Sequence, residues 1–109
     1  SPNYPTSDEV LRQRLGLSVR RSYRPRGTAR QLAVVQADGD RSVLLPRIKV
    51  ATSILHGRDD ALVPVAAGHD LAAKIGGSHL DVIDGWGHDL PQALWPRFVE
   101  GIERAASRA

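Results

Sequence analysis

Residues 50–64 read Val50-Ala51-Thr52-Ser53-Ile54-Leu55-His56-Gly57-Arg58-Asp59-Asp60-Ala61-Leu62-Val63-Pro64. The opening six are mostly apolar, interrupted by Thr52 and Ser53, and His56-Gly57 ends them. A short apolar run closed by glycine predicts a strand over Val50–Leu55, buried on both faces as in a parallel sheet. Downstream, Ala67, Leu71, Ala72 and Ile75 recur at helical spacing, and Gly76-Gly77 stops that helix. His79–Ile83 then alternates, with Leu80 and Val82 on one face and Asp81 on the other, which predicts a half-exposed strand at a sheet edge. A last helix is expected from Pro96 as its first residue, with Phe98, Val99 and Ile102 facing inward. Strand, helix, strand, helix is a βαβα unit, whose two strands should lie parallel.

Two parallel strands do not make a domain. The first is too apolar for an open edge, where unpaired N–H and C=O groups would face water. The pattern therefore predicts α/β architecture, specifically the C-terminal part of a doubly wound sheet. Upstream of it the composition shifts near Pro46, and residues 1–47 read as a helical portion with a short lead-in. Thr6 with Glu9 reads as a capping box for a helix carrying Leu11 and Leu15 to about Leu17. Thr28 with Gln31 repeats the pattern for a second helix carrying Leu32 and Val35, and Asp38-Gly39-Asp40 ends it. Residues 48–109 are the βαβα portion.

The chain has 109 residues, 41% hydrophobic and 25% charged, a balance suited to a soluble globular protein. It has no Cys, which excludes disulfides and thiolate chemistry. Nothing approaches the roughly 20 apolar residues that span a bilayer, so the expectation is a cytoplasmic protein with no membrane contact. The absence of Met and the opening Ser1-Pro2-Asn3-Tyr4-Pro5 suggest that an upstream part belongs to the protein; removal of an initiator Met alone is the other reading. Charge is uneven: residues 1–47 hold nine Arg against four acids, and residues 48–109 hold six basic residues against eight acids. Arg20-Arg21-Ser22-Tyr23-Arg24-Pro25-Arg26 is the densest run. One basic run without a binding motif reads as a solvated loop or a contact with acidic groups, and no nucleic-acid partner is expected.

The chemistry sits in two loops after the strands, where open α/β sheets place their sites. The first is residues 56–64; the second is Gly85-Trp86-Gly87-His88-Asp89-Leu90-Pro91. An acid after one strand and a histidine after the next is the later part of a Ser…Asp…His order. There the histidine takes the serine proton as general base, while the carboxylate fixes the imidazole tautomer and stabilises the imidazolium. Other readings stay open on the residues alone. Asp59 and Asp60 also suit a turn that caps the next helix, and Asp59 is a second candidate for the acid. His88 as a metal ligand with His56 or Asp60 lacks HxxxH or HxH spacing, so no metal or cofactor is expected. His56, His69 and His79 read as structural or surface residues, and Trp86 and Trp95 as packing groups.

Residues 48–64, ending in HGxxDxxVP, and residues 84–91, containing GxGHxxP, together resemble the α/β-hydrolase family. Loosely, the chain is similar to bacterial esterases of the aclacinomycin-methylesterase type. The resemblance covers most of residues 28–106, and implies that residues 1–27 are a remnant of the cap over the pocket. It makes Asp60 the catalytic acid and His88 the catalytic base, with Trp86, Leu62 and Val63 as tentative pocket residues. Ala51 stands where the family usually has Pro, Ser53 where it has an aliphatic residue, and Trp86 where it often has Met. The family's nucleophile lies in GxSxG, which does not occur here; Ser78 follows two glycines but precedes His79-Leu80, so it forms no elbow. The expectation is the C-terminal portion of a carboxylic-ester hydrolase, inactive alone, acting on a small-molecule ester with a complementary N-terminal half that carries the serine. Epoxide, lactone and haloalkane hydrolysis stay open. The competing expectation is a non-catalytic module that binds a partner or the complementary half. A homo-oligomer through the exposed strand edge is expected of the isolated chain.

Overall fold

In the computed structural model, which describes Ser1–Arg108, the chain is a mixed α/β protein with two parallel strands and flanking helices. It divides into two units, one helical (Thr6–Arg41) and one made of Ser1–Pro5 together with the chain from Ser42 onward. The helical part is thus shorter than residues 1–47 at both ends. Among the described residues no helix is long and apolar enough to cross a membrane.

The helical unit holds α1 (Asp8–Arg21) and α2 (Pro25–Asp38). The N-cap of α1 is Ser7, whose Oγ accepts the Val10 N–H at 3.4 Å, rather than Thr6. The change of cap places Asp8 and Glu9 in the first turn, against the positive end of the helix dipole. Gln13 donates to Glu9 at 2.8 Å, and Arg20 and Arg21 complement the C-terminal end, carrying the helix four residues beyond Leu17. In the same way α2 starts at Pro25 instead of after Thr28, because proline at the first position has its φ already set for a helix and no N–H to leave unpaired. Gly39, at φ +71°, ends it where the Asp-Gly-Asp signal predicts.

In the other unit a 3-10 segment (Ser42–Arg47) leads into β1 (Ser53–Gly57), α3 (Val65–Lys74), β2 (His79–Ile83) and α4 (Trp95–Ala106). The strands pair in parallel, from Ser53 opposite His79 to Gly57 opposite Ile83. β1 begins three residues later than expected and runs through His56-Gly57, leaving Val50 73% exposed. The pairing explains the shift: the His79 N–H reaches back to the Thr52 carbonyl at 2.9 Å, and the Arg58 N–H reaches the Ile83 carbonyl at 3.0 Å. β2 has the bounds its alternation predicts.

Neighbouring side chains on β1 point to opposite faces, and each meets a glycine on a helix. Leu55 lies against Gly101 of α4, where an added Cβ would stand 2.5 Å from Leu55 Cδ1. His56 lies against Gly68 of α3, where an added Cβ would stand 3.0 Å from the imidazole. The two helices therefore cover opposite faces of the sheet. Ile83, Trp86 and Leu94 form the core cluster, with Tyr4, Leu55 and Phe98 packed on it; the Trp86 and Phe98 rings lie 5.0 Å apart, tilted by 46°.

α4 departs from expectation. Phe98 does face inward, but Val99 and Ile102 are 50% and 68% exposed. The inward line is Leu94, Phe98, Gly101 and Ala105. A 3-10 turn over Gln92–Leu94 precedes the helix and buries Leu94 at its start. Trp95, expected to pack, shares the outward stripe with Val99 and Ile102. Both strands keep one unpaired edge among the described residues.

Candidate acid–histidine site

Parallel pairing in register brings the carboxyl ends of β1 and β2, and so the two loops, side by side. Their backbones touch at Gly57. An added Cβ there would lie 2.7 Å from the Gly87 carbonyl oxygen and closer still to that of Trp86. Only glycine admits this approach. The Asp59 N–H donates to the Trp86 carbonyl at 3.1 Å, and Asp59 Oδ2 accepts the Gly85 N–H at 2.7 Å. Asp59, the second candidate for the acid, is thus occupied in holding the second loop to the first.

Asp60 is the residue that meets His88. Its Oδ2 lies 2.7 Å from His88 Nδ1. Its Oδ1 accepts the N–H groups of Leu62 and Val63 at 2.9 and 2.8 Å. The two readings of this aspartate therefore coincide in one side chain, since the turn fixes the carboxylate through one oxygen and presents the other to the imidazole. The Asp60 side chain is only 6% exposed, whereas that of His88 is 54% exposed. The Val63 amide does most to lower the Asp60 pKa. Burial opposes it, but with the His88 and Leu62 hydrogen bonds the carboxyl falls from 3.8 to about 2. A carboxylate on Nδ1 selects the tautomer with its proton there, leaving Nε2 as the basic nitrogen. Among the described residues Nε2 has no hydrogen-bond partner, and the ring opens to solvent.

A cavity of about 380 Å³ adjoins the pair, with Leu55, His56, Val63, Trp86, His88 and Leu90 among its walls. Of the tentative pocket residues, Val63 and Trp86 line it. Leu62 does not: its amide serves Asp60, and its side chain is 71% exposed. Trp86 is also core, donating its indole N–H to the Asp89 carbonyl at 2.7 Å. His56 contacts the Val63 carbonyl through Nε2 at 2.9 Å, which gives it a wall position. Among the described residues no serine, threonine or cysteine lines this cavity, and no cluster of three or more His, Cys, Asp or Glu could hold a metal ion. Another cavity, about 520 Å³, lies within the helical unit beside Val19, Tyr23 and Leu32 and includes neither an acid nor a histidine.

Sequence reasoning missed the role of Ser1–Pro5. The Asn3 N–H donates to the Gly85 carbonyl at 3.0 Å, the Gly87 N–H donates to Ser1 Oγ at 3.0 Å, and Ser1 Oγ donates to the Asp89 carboxylate. Tyr4 packs on the core cluster under the same loop. No local signal in Ser-Pro-Asn-Tyr-Pro announces contacts more than 80 residues away. Arg58 and Asp84, which pair across the bases of the two loops, likewise become neighbours only through the strand register.

No protein-family model matches the chain, and no curated protein matches it.

Proposed function

We propose that this chain supplies the acid and the base of a Ser-His-Asp hydrolase of the α/β-hydrolase type, with the serine contributed by a complementary N-terminal half. One observation carries the reading: a buried carboxylate, locked by two backbone amides, presents its free oxygen to Nδ1 of an exposed histidine at 2.7 Å. A triad needs that half-assembly. In it, Asp60 holds the Nδ1–H tautomer and stabilises the imidazolium, while His88 Nε2 takes the serine proton and later delivers it to the leaving group. The position of the pair beyond the carboxyl ends of two parallel strands supports the family reading, as do HGxxDxxVP and GxGHxxP. The substrate class proposed is a carboxylic ester of a small molecule, cleaved through an acyl-serine, with the cavity beside His88 as part of the pocket. No cofactor enters this chemistry.

The missing nucleophile shapes the test. The 109 residues alone should hydrolyse aryl esters no faster than buffer with an unrelated basic protein. Mixed with or fused to a GxSxG-bearing half, they should turn over ester, and Asp60→Asn or His88→Ala should abolish that turnover. Robust turnover by the chain alone, or activity in the complex that survives both substitutions, would refute the assignment. A second reading, a non-catalytic module that binds a partner, is favoured by the cavity without a nucleophile and by the outward Trp95-Val99-Ile102 stripe. A complex that forms with the complementary half and remains inactive would support it.

A further inference from the structure

The backbone leading into His88 is held from outside its own loop. Going along it, the Gly85 N–H goes to Asp59, the Gly85 carbonyl takes the Asn3 N–H, the Trp86 carbonyl takes the Asp59 N–H, and the Gly87 N–H goes to Ser1 Oγ. Asp59 sits next to Asp60 and holds the loop from the acid's side. Ser1 and Asn3 hold it from the other direction, in a segment that the sequence places 80 residues or more away. Gly85, at φ +73°, has no Cβ, and the Asn3 side chain lies where one would be. Ser1 Oγ uses both of its capacities, accepting from Gly87 and donating to Asp89, the residues that flank His88.

We infer that Ser1–Tyr4 is a positioning strap for His88, with the Ser1 hydroxyl as its functional contact. The strap holds the residue before the histidine by its backbone N–H and the residue after it by its carboxylate, and so fixes the distance from His88 Nδ1 to Asp60. An exposed imidazole on an unsupported loop with two glycines just before it would sample other rotamers, and a base displaced by about 1 Å forfeits much of its catalytic effect. Ser1 touches neither partner of the pair and acts through the two residues that flank His88.

The inference builds on the reading of His88 as base, but its test does not require catalysis. In the full chain labelled with ¹⁵N, long-range imidazole spectra report the His88 tautomer, and amide exchange reports Gly87. Ser1→Ala should raise Gly87 exchange about tenfold, as expected for loss of one hydrogen bond. It should also turn the single Nδ1–H tautomer of His88 into an averaged mixture, while amides in β1 and β2 keep their protection. Ser1→Thr, which retains the hydroxyl, should restore both signals. Asp89→Ala, which removes the acceptor orienting that hydroxyl, should reproduce the loss. An unchanged His88 tautomer in Ser1→Ala would overturn the inference, as would a uniform loss of protection through both strands, which marks a merely structural role. If these spectra respond as expected and the complemented enzyme is nonetheless inactive, the strap stands and the hydrolase reading fails.

Discussion

Gly57→Ala places a methyl group at the tightest contact between the two loops. The new Cβ would stand 2.7 Å from the Gly87 carbonyl oxygen and closer still to that of Trp86, where ordinary contact begins at 3.4 Å, so the loops must part by more than about 0.7 Å. Neither side can yield by a side-chain rotation, because the opposing atoms are backbone. Adding that displacement to the 3.1 Å bond from Asp59 N–H to Trp86 O breaks it, and the 2.7 Å contact between Asp60 and His88 stretches toward its limit. Overpacking costs about 1–3 kcal/mol and a lost hydrogen bond about 1 kcal/mol. Stiffening of the unfolded chain by alanine returns about 0.4–1 kcal/mol. The expected net destabilisation is therefore about 2 kcal/mol, and it should come with loss of the single His88 tautomer. Urea unfolding followed by tryptophan fluorescence, at one fixed protein concentration, gives the first quantity. Imidazole ¹⁵N spectra give the second. A variant within about 0.5 kcal/mol of the parent, with His88 unchanged, would refute the argument that this backbone approach requires glycine.

Asp60→Asn keeps an acceptor for the Leu62 and Val63 amides but can turn an N–H toward His88; the proton should move to Nε2, and activity in the complemented enzyme should fall roughly 10⁴-fold. An Nδ1–H tautomer that persists in this variant would contradict the assigned role. The Asp60 carboxyl, lowered to about 2, should titrate well below the ordinary 3.8 in a ¹³C experiment. Because the folded value lies below the ordinary 3.8, its contribution to stability is complete above about pH 4 and disappears as the pH falls through 2; a midpoint near 3.8 would exclude the proposed hydrogen bonding. Trp86→Ala removes the centre of the core cluster and leaves Phe98 without its ring partner, an expected cost of about 3–5 kcal/mol, and a melting temperature close to the parent's would show that the cluster does not hold this unit together. With unpaired strand edges and Trp95, Val99 and Ile102 outward, the isolated chain should self-associate or bind hydrophobic dye, and light scattering that shows a dye-free monomer with a sharp reversible melt would count against an incomplete sheet.

Local order and chemical candidates were legible in the residues themselves. Alternation gave β2 its bounds and Gly39 ended α2, because each depends on contacts within a few positions of the chain, while the two loop motifs singled out Asp60 and His88 through their resemblance to a known pattern. Element starts were less legible. Ser7 and Thr6 both suit a helix cap, Pro25 competes with Thr28, and only the fold selects between them. β1 slid toward His56-Gly57 because its limits are set by hydrogen bonds to β2, which no apolar run records. Of the inward face of α4 only Phe98 was legible, since Leu94, Phe98, Gly101 and Ala105 compete with Trp95, Val99 and Ile102 at the same helical period, and the sheet decides by requiring room for Leu55 at Gly101. The tertiary structure alone gave Asp59 its part in tying the loops together, and alone brought Ser1 beside Gly87. Those outcomes depend on strand register and on contacts across most of the chain's length, whereas the sequence determines only which side chains are available to make them.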